Sequence, residues 1–237
     1  MKKDLTYNII DCEKTNIAEF IENLKTISRK KGMVLSQADC SFFALIAKHI
    51  IFYKYFYYSS LAEIEKGYIK TIISDLYYLV LSIMDKEKRY IYVNVRSIIE
   101  NNIRLVTTIS LEDNFITFVA FEKLKEMKYR MTDDEYSLIR NEYRVACNYV
   151  HGGKLLEDNL SFVFEECFIK PQMSDKEKNA FYKRIGDILK IFDKFVIAQY
   201  TDIVNGCFHR SKSLLSYLIG NDNVDLLFLY MQNCNDN

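Results

Sequence analysis

Apolar residues recur every three to four positions along nearly the whole chain, the spacing of one buried helical face. The pattern predicts a first helix over about 16–31, stopped at Gly32. A second runs from the N-cap candidate Ser36 to about 58, and a third from Ser60 to about 85. A fourth covers about 88–110 and a fifth about 113–127. Thr132, followed three residues later by Glu135, is a capping box that opens a sixth helix ending at His151. Ser174 and Glu177 repeat that signature and open a long helix reaching about 205. Shorter helices fill 207–219 and 223–233, and the tail NCNDN is expected to fray.

Two stretches, 42–58 and 72–84, are apolar on almost every side. Lys48, His49 and Lys54 interrupt the first and Asp75 the second, so both read as buried helices rather than membrane spans. The segment 152–173 is the least regular and holds the sole proline, Pro171. The helices flanking it are too amphipathic to stand alone, so it reads as a functional or dimer-facing loop rather than a linker. The expectation is a single all-α domain over 1–237, an antiparallel helical bundle with short connections.

Composition narrows this further. One proline and seven glycines cannot supply the turns of a many-stranded sheet. Lys plus Arg equals Asp plus Glu, 32 each, which argues against a dedicated nucleic-acid coat and leaves room for a local basic site. The six cysteines (Cys12, Cys40, Cys147, Cys167, Cys207, Cys234) form no CxxC pair and no zinc spacing. They suit scattered reduced thiols. MKKDLTYNIID lacks the apolar segment of an export signal, so a cytoplasmic protein with no membrane partner is expected.

The chemistry concentrates in RNEYRVACNYVHGG, residues 140–153. Arg144 and His151 are seven residues apart, close to two helical turns, so both side chains point to one side. Arg140 and Asn148 share that side, while Leu138, Ile139, Val145, Tyr149 and Val150 lie mainly opposite. A guanidinium, an amide and an imidazole on one face can grip a phosphate and move a proton beside it. A purely structural account is also available. The helix dipole favours a His in the last turn, Gly152 suits a left-handed C′ position, and Arg144 has Glu142 or Glu135 as possible partners. Arg96, Glu100 and Arg104 form a second charged stripe at helical spacing, with Ile98, Ile99, Ile103 and Val106 facing away. It reads either as a salt-bridge ladder or as the row that lies against the Arg144–His151 stripe, with Glu100 orienting one of those side chains.

In order, RSIIENNIRLV and YRVACNYVHGG resemble the HEPN superfamily, most of all its abortive-infection and toxin–antitoxin branch. Its hallmark is an Arg, four to six residues and a His late in a helix of an all-α bundle. Arg144 and His151 match that, and Arg96 with Glu100 match the Arg-x-x-x-Glu helix that often precedes it. Val145 stands where many members have a polar residue. The likeness covers about 60–153 as a HEPN-like core, leaving 174–233 as a helical extension. It implies a metal-independent RNA endonuclease without cofactor, with Arg144 and His151 catalytic. Arg140, Asn148, Arg96 and Glu100 would bind substrate or support it. His151 would act in attack of a ribose 2′-hydroxyl on the adjacent phosphate, and Arg144 would stabilise the phosphoryl oxygens. The active site would form in a homodimer or in a complex with another defence-system protein. The alternative is a non-catalytic HEPN-like dimerisation module docking through the aromatic N-terminal helices. A helical adaptor with no nucleic-acid contact is a third possibility. No His or carboxylate cluster has metal-ligand spacing. Outside the motif, His49 amid aromatics reads as a satisfied core residue, His209 as a surface residue and Cys147 as a small buried thiol.

Overall fold

The computed structural model describes residues 2–108, 118–151 and 173–235. They form a bundle of α-helices, and no strand occurs among the described residues. The helices are α1 (Lys2–Lys30), α2 (Gln37–Tyr57), α3 (Glu63–Met84), α4 (Lys88–Thr107) and α5 (Phe118–Glu126). They continue with α6 (Asp133–Val150), α7 (Asp175–Gln199), α8 (Thr201–Cys207), α9 (Lys212–Ile219) and α10 (Asn221–Asn235). Among the described residues, no helix is long and apolar enough to cross a membrane.

The capping boxes are where the sequence places them. Thr132 with Glu135 opens α6, Ser174 with Glu177 opens α7, and Ser36 does the same for α2 through Asp39. Other boundaries move, each for a packing reason. Helix α1 begins well before residue 16, because Ile10, Ile17, Ile21 and Leu24 make one continuous buried stripe. Ser60 does not cap α3. Leu61 is pulled into the core, the Ser59 hydroxyl donates back to the Phe56 carbonyl, and Ala62 becomes the N-cap. Helix α4 stops at Thr107, where Thr108 turns left-handed (φ 52°). The long helix expected from Ser174 to 205 breaks at Tyr200, whose φ of −122° leaves the helical range. Its hydroxyl donates to the Leu105 carbonyl at 2.7 Å and its ring lies edge-on to Phe56, so tertiary contacts override local propensity. The expected start of the fifth helix and most of 152–173, with Gly152 and Pro171, lie outside the described residues.

Helix α2 is the centre. Phe42, Phe43, Ile46, Ile50, Phe52, Tyr53 and Phe56 are all buried, and α1, α3, α7, α8 and α9 pack around it. Helix α7 is nearly as apolar and is tied to α2 by the stacked rings of Phe42 and Tyr182, 4.1 Å apart. Helices α3 and α4 form a hairpin, and α4 carries α6 on another side. Arg184 and Lys194 of α7 hold α6 through Glu142 and Glu135, at 2.7 and 2.8 Å.

His49 is the satisfied core residue that its aromatic surroundings suggest. It is 1% exposed, with Nδ1 at 2.9 Å from the Leu45 carbonyl and Nε2 at 3.0 Å from Asp193 Oδ2. A carbonyl only accepts, so Nδ1 carries a hydrogen, and the carboxylate calls for another on Nε2. Burial opposes the imidazolium, but Asp193 and the Leu45 carbonyl outweigh it and raise the His49 pKa above its usual value. Burial, and then the same carboxylate, push the Tyr53 hydroxyl far up. A raised folded-state pKa means that the pair's stabilisation is complete below the unfolded value of about 6.5. It is lost as pH climbs through the higher folded value. Thermal midpoints should therefore fall above neutrality, and the slope should vanish in His49→Leu/Asp193→Leu. His49→Leu alone strands a buried carboxylate and should cost on the order of 3–5 kcal/mol by denaturant titration, more than the double variant does.

Candidate functional site

Helix α6 runs antiparallel to α4, and its C-terminal end is pinned to the start of that helix. Tyr149 stacks on Tyr92 with ring centres 4.1 Å apart, and Lys88 lies over the Tyr149 ring at 5.3 Å. Arg89 Nη2 donates to the Val150 carbonyl at 3.4 Å. These contacts hold His151, the C-cap, beside the first turns of α4, within reach of the Arg96 side chain. Its amide N–H donates to the Cys147 carbonyl at 2.9 Å, and the residue is exposed.

The guanidinium that meets His151 is that of Arg96. Its Nη1 lies 3.0 Å from His151 Nε2, and its Nε donates to Glu100 Oε1 at 2.8 Å. Tyr143 of α6 donates its hydroxyl to the same Glu100 oxygen at 2.7 Å. The row Tyr143–Glu100–Arg96–His151 thus crosses from α6 to α4 and back. The side chains of Arg96 and Glu100 are 17% and 20% exposed, so this is a half-buried relay rather than a solvated ladder. Burial works against the Arg96 charge, yet Glu100 more than compensates and its pKa is raised. Burial, reinforced by Glu100, drives the Tyr143 hydroxyl well above its usual range, so it remains a donor.

A guanidinium only donates, so Nε2 of His151 must accept. That contact places the ring hydrogen on Nδ1. Arg96 both fixes the tautomer and covers the lone pair that a general base would use.

Arg144 is exposed and on the same side of α6, as its spacing predicts. Its Nη2 donates to Asn141 Oδ1 at 3.4 Å, which aims it back along the helix, away from His151. The two residues are separated by about 10 Å of helix axis. Glu142 and Glu135 are taken by Arg184 and Lys194, so neither neutralises Arg144. Asn148 is exposed on this face, and Arg140 packs over the Tyr136 ring at 6.0 Å. The α4 stripe does not hold together. Arg104 is 8% exposed and turns toward Tyr68 of α3, because one helix face cannot serve two neighbours at once. Glu100 orients Arg96 rather than touching Arg144 or His151 directly.

Two residues of this neighbourhood escape a reading of the sequence. Tyr143 is a tyrosine in a chain that has 18 of them, and its partner is 43 positions away. Asp75 of α3 has a half-buried carboxylate whose Oδ2 lacks a hydrogen-bond partner. Burial lifts its pKa to about 6, only partly offset by the Ser97 hydroxyl beside Arg96. Cys147 is half-buried near Arg96 and Tyr143. It is one of four free thiols among the described side chains, with Cys12, Cys40 and Cys207. His209 is exposed, as expected. Among the described residues, no group of three or more His, Cys, Asp or Glu could hold a metal ion.

No protein family, no curated protein and no solved structure matches this chain. The geometry of the site therefore carries the functional argument.

With only three histidines in the chain, the tautomer is directly measurable. Ring ¹⁵N shifts should place the His151 hydrogen on Nδ1 in the wild type. Arg96→Ala should yield a mixture of tautomers, while the His49 signals stay unchanged. A wild-type His151 with its hydrogen on Nε2 would contradict the contact.

Proposed function

We propose that this chain is a metal-independent RNA endonuclease of the HEPN type, an effector of a prokaryotic anti-phage or toxin system. The observation that carries the reading is the exposed imidazole of His151 with a donor-only guanidinium 3.0 Å from its Nε2. In this reading the base faces solvent and the cation, half-buried beside it, is the group that takes the phosphate, next to the exposed Arg144 and Asn148.

The contact also suggests how the base is released. An RNA phosphate offers Arg96 a full negative charge, and a charge-assisted fork to phosphate outcompetes donation to a neutral imidazole. Once Arg96 turns to the phosphate, Nε2 is uncovered beside it. Nε2 then takes the proton of the 2′-hydroxyl, the 2′-oxygen bonds to phosphorus, and the bond to the 5′-oxygen breaks. The proton returns to that leaving oxygen, giving a 2′,3′-cyclic phosphate and a 5′-hydroxyl. Arg96, and Arg144 from the same or a second copy, offset charge on the phosphoryl oxygens.

A homodimer fits this chemistry because one Arg144–His151 face supplies only half of a two-sided site. Exposed Tyr78 and Leu81 of α3, and Tyr90 and Val93 of α4, flank the turn between these two helices and provide apolar surface for a second copy or for a partner of the same system. That surface also favours the second reading, a dimerisation module without catalysis.

Cleavage of labelled RNA in the presence of the natural trigger distinguishes the two. His151→Ala should lower the rate by on the order of 10²- to 10⁴-fold with the fold intact. Arg96→Ala and Arg144→Ala should each cost on the order of 10²-fold or more, with poor rescue by lysine, which lacks the planar fork. Glu100→Gln should lower the rate less, and EDTA should change nothing. A cleaving preparation indifferent to His151→Ala defeats the nuclease reading. A folded, triggered dimer that never cleaves RNA leaves the interaction module.

A further inference from the structure

The contact between Arg96 and His151 joins two helices, yet the ion pair behind it lies within one. Arg96 and Glu100 are four residues apart on α4, with Nε donating to Oε1 at 2.8 Å. A pair at this spacing holds a guanidinium only loosely, and the order found here, cation before carboxylate, is the weaker of the two. Nothing in such a pair depends on where α6 stands. His151 is carried by the end of α6. An Arg96 side chain lying along α4 would satisfy Glu100 without meeting the imidazole at all.

Tyr143 supplies the missing reference. It sits on α6, eight residues before His151. That is about 12 Å back along the helix axis. Its hydroxyl donates at 2.7 Å to Glu100 Oε1, the oxygen that Arg96 also uses. The two helices are antiparallel, so the earlier residue of α6 meets the later residue of α4. The four side chains thus close a frame. Tyr143 with Glu100 and Arg96 with His151 bridge the helices at two levels, and the Arg96–Glu100 pair joins the levels. With the carboxylate fixed to α6, the guanidinium that it holds is referred to α6 as well.

The phenol is itself anchored. Its ring packs at 5.1 Å against the buried Phe121 of α5. Burial, and then Glu100, keep the hydroxyl protonated, so it serves as a donor. The other contacts at this end of α6, Tyr149 on Tyr92 and Arg89 on the Val150 carbonyl, hold the end of the helix and not the guanidinium.

We propose that Tyr143 is a positioning residue for the chemistry at His151. Through Glu100 it aims the Arg96 guanidinium at His151 Nε2, and so sets the imidazole tautomer and the place where a phosphate is met. Its part in cleavage rests on the nuclease reading, whereas its hold on His151 does not.

Tyr143→Phe deletes the hydroxyl and keeps the ring against Phe121. Ring ¹⁵N spectra of the full chain read the result without any substrate. Tyr143→Phe should turn the single Nδ1–H tautomer of wild-type His151 into a mixture, as Arg96→Ala does, with the His49 signals unchanged. Tyr136→Phe is the control. It removes a similar phenol–carboxylate bond on the same helix, to Glu122 at 2.6 Å, and should leave His151 as in the wild type. With triggered, labelled RNA, Tyr143→Phe should lower kcat about tenfold, the effect of losing one hydrogen bond to a charged group. In a Glu100→Ala background the same substitution should change neither tautomer nor rate, because the path runs through that carboxylate. An unchanged His151 tautomer in Tyr143→Phe overturns the proposal. So does an equal change in Tyr136→Phe, or a Tyr143→Phe effect that persists in full without Glu100. A shifted tautomer with an undiminished rate overturns the part in cleavage. A shifted tautomer in a chain whose wild type never cleaves RNA upholds the hold on His151 and defeats the nuclease reading alone.

Discussion

Helix α2 has almost no polar face to give to water, and the rest of the bundle follows from that constraint. A helix apolar on nearly every side is stable only when other helices enclose it, and α1, α3, α7, α8 and α9 do so. Each fully buried Phe or Tyr along it removes enough apolar surface from water to contribute about 2–3 kcal/mol. Those contributions are large enough to override weaker local preferences. Tyr200 leaves helical geometry to reach Phe56 and Leu105, and Leu61 is drawn inward at the cost of a Ser cap.

Polar groups inside such a core must be matched, and the matches determine which helices are neighbours. His49 with Asp193 joins α2 to α7, and Tyr53 with Asn102 joins α2 to α4, donating at 2.6 Å. An apolar seam tolerates sliding, whereas a buried hydrogen bond between two particular residues does not. The register of α4 is therefore set from the core side. Only then does Arg96 on its outer side lie where the end of α6 can present His151.

The outer surface is built with the opposite economy. Glu100 accepts from Arg96 and Tyr143 on the same oxygen, so one half-buried carboxylate aligns a cation on α4 with a phenol on α6. Arg144, Asn148 and His151 remain exposed on the face beside them. A half-buried, hydrogen-bonded row therefore lies directly beside solvent-facing polar groups.

The sequence by itself determined the helical class, the capping boxes at Thr132 and Ser174, the buried character of α2 and the shared side of Arg144 and His151. Each depends on residues within a few positions of one another, where 3.6-residue periodicity and cap chemistry act without help from the rest of the chain. The pairings could not be read that way. Arg96 meets His151 across 55 positions, Tyr143 meets Glu100 across 43, and His49 meets Asp193 across 144. The stripe Arg96–Glu100–Arg104 is continuous in sequence, yet packing assigns its ends to different neighbours and buries Arg104 toward Tyr68. Helical spacing decides which side of a helix a residue occupies. Which helix stands opposite, and at what register, is decided by the packing of the whole core.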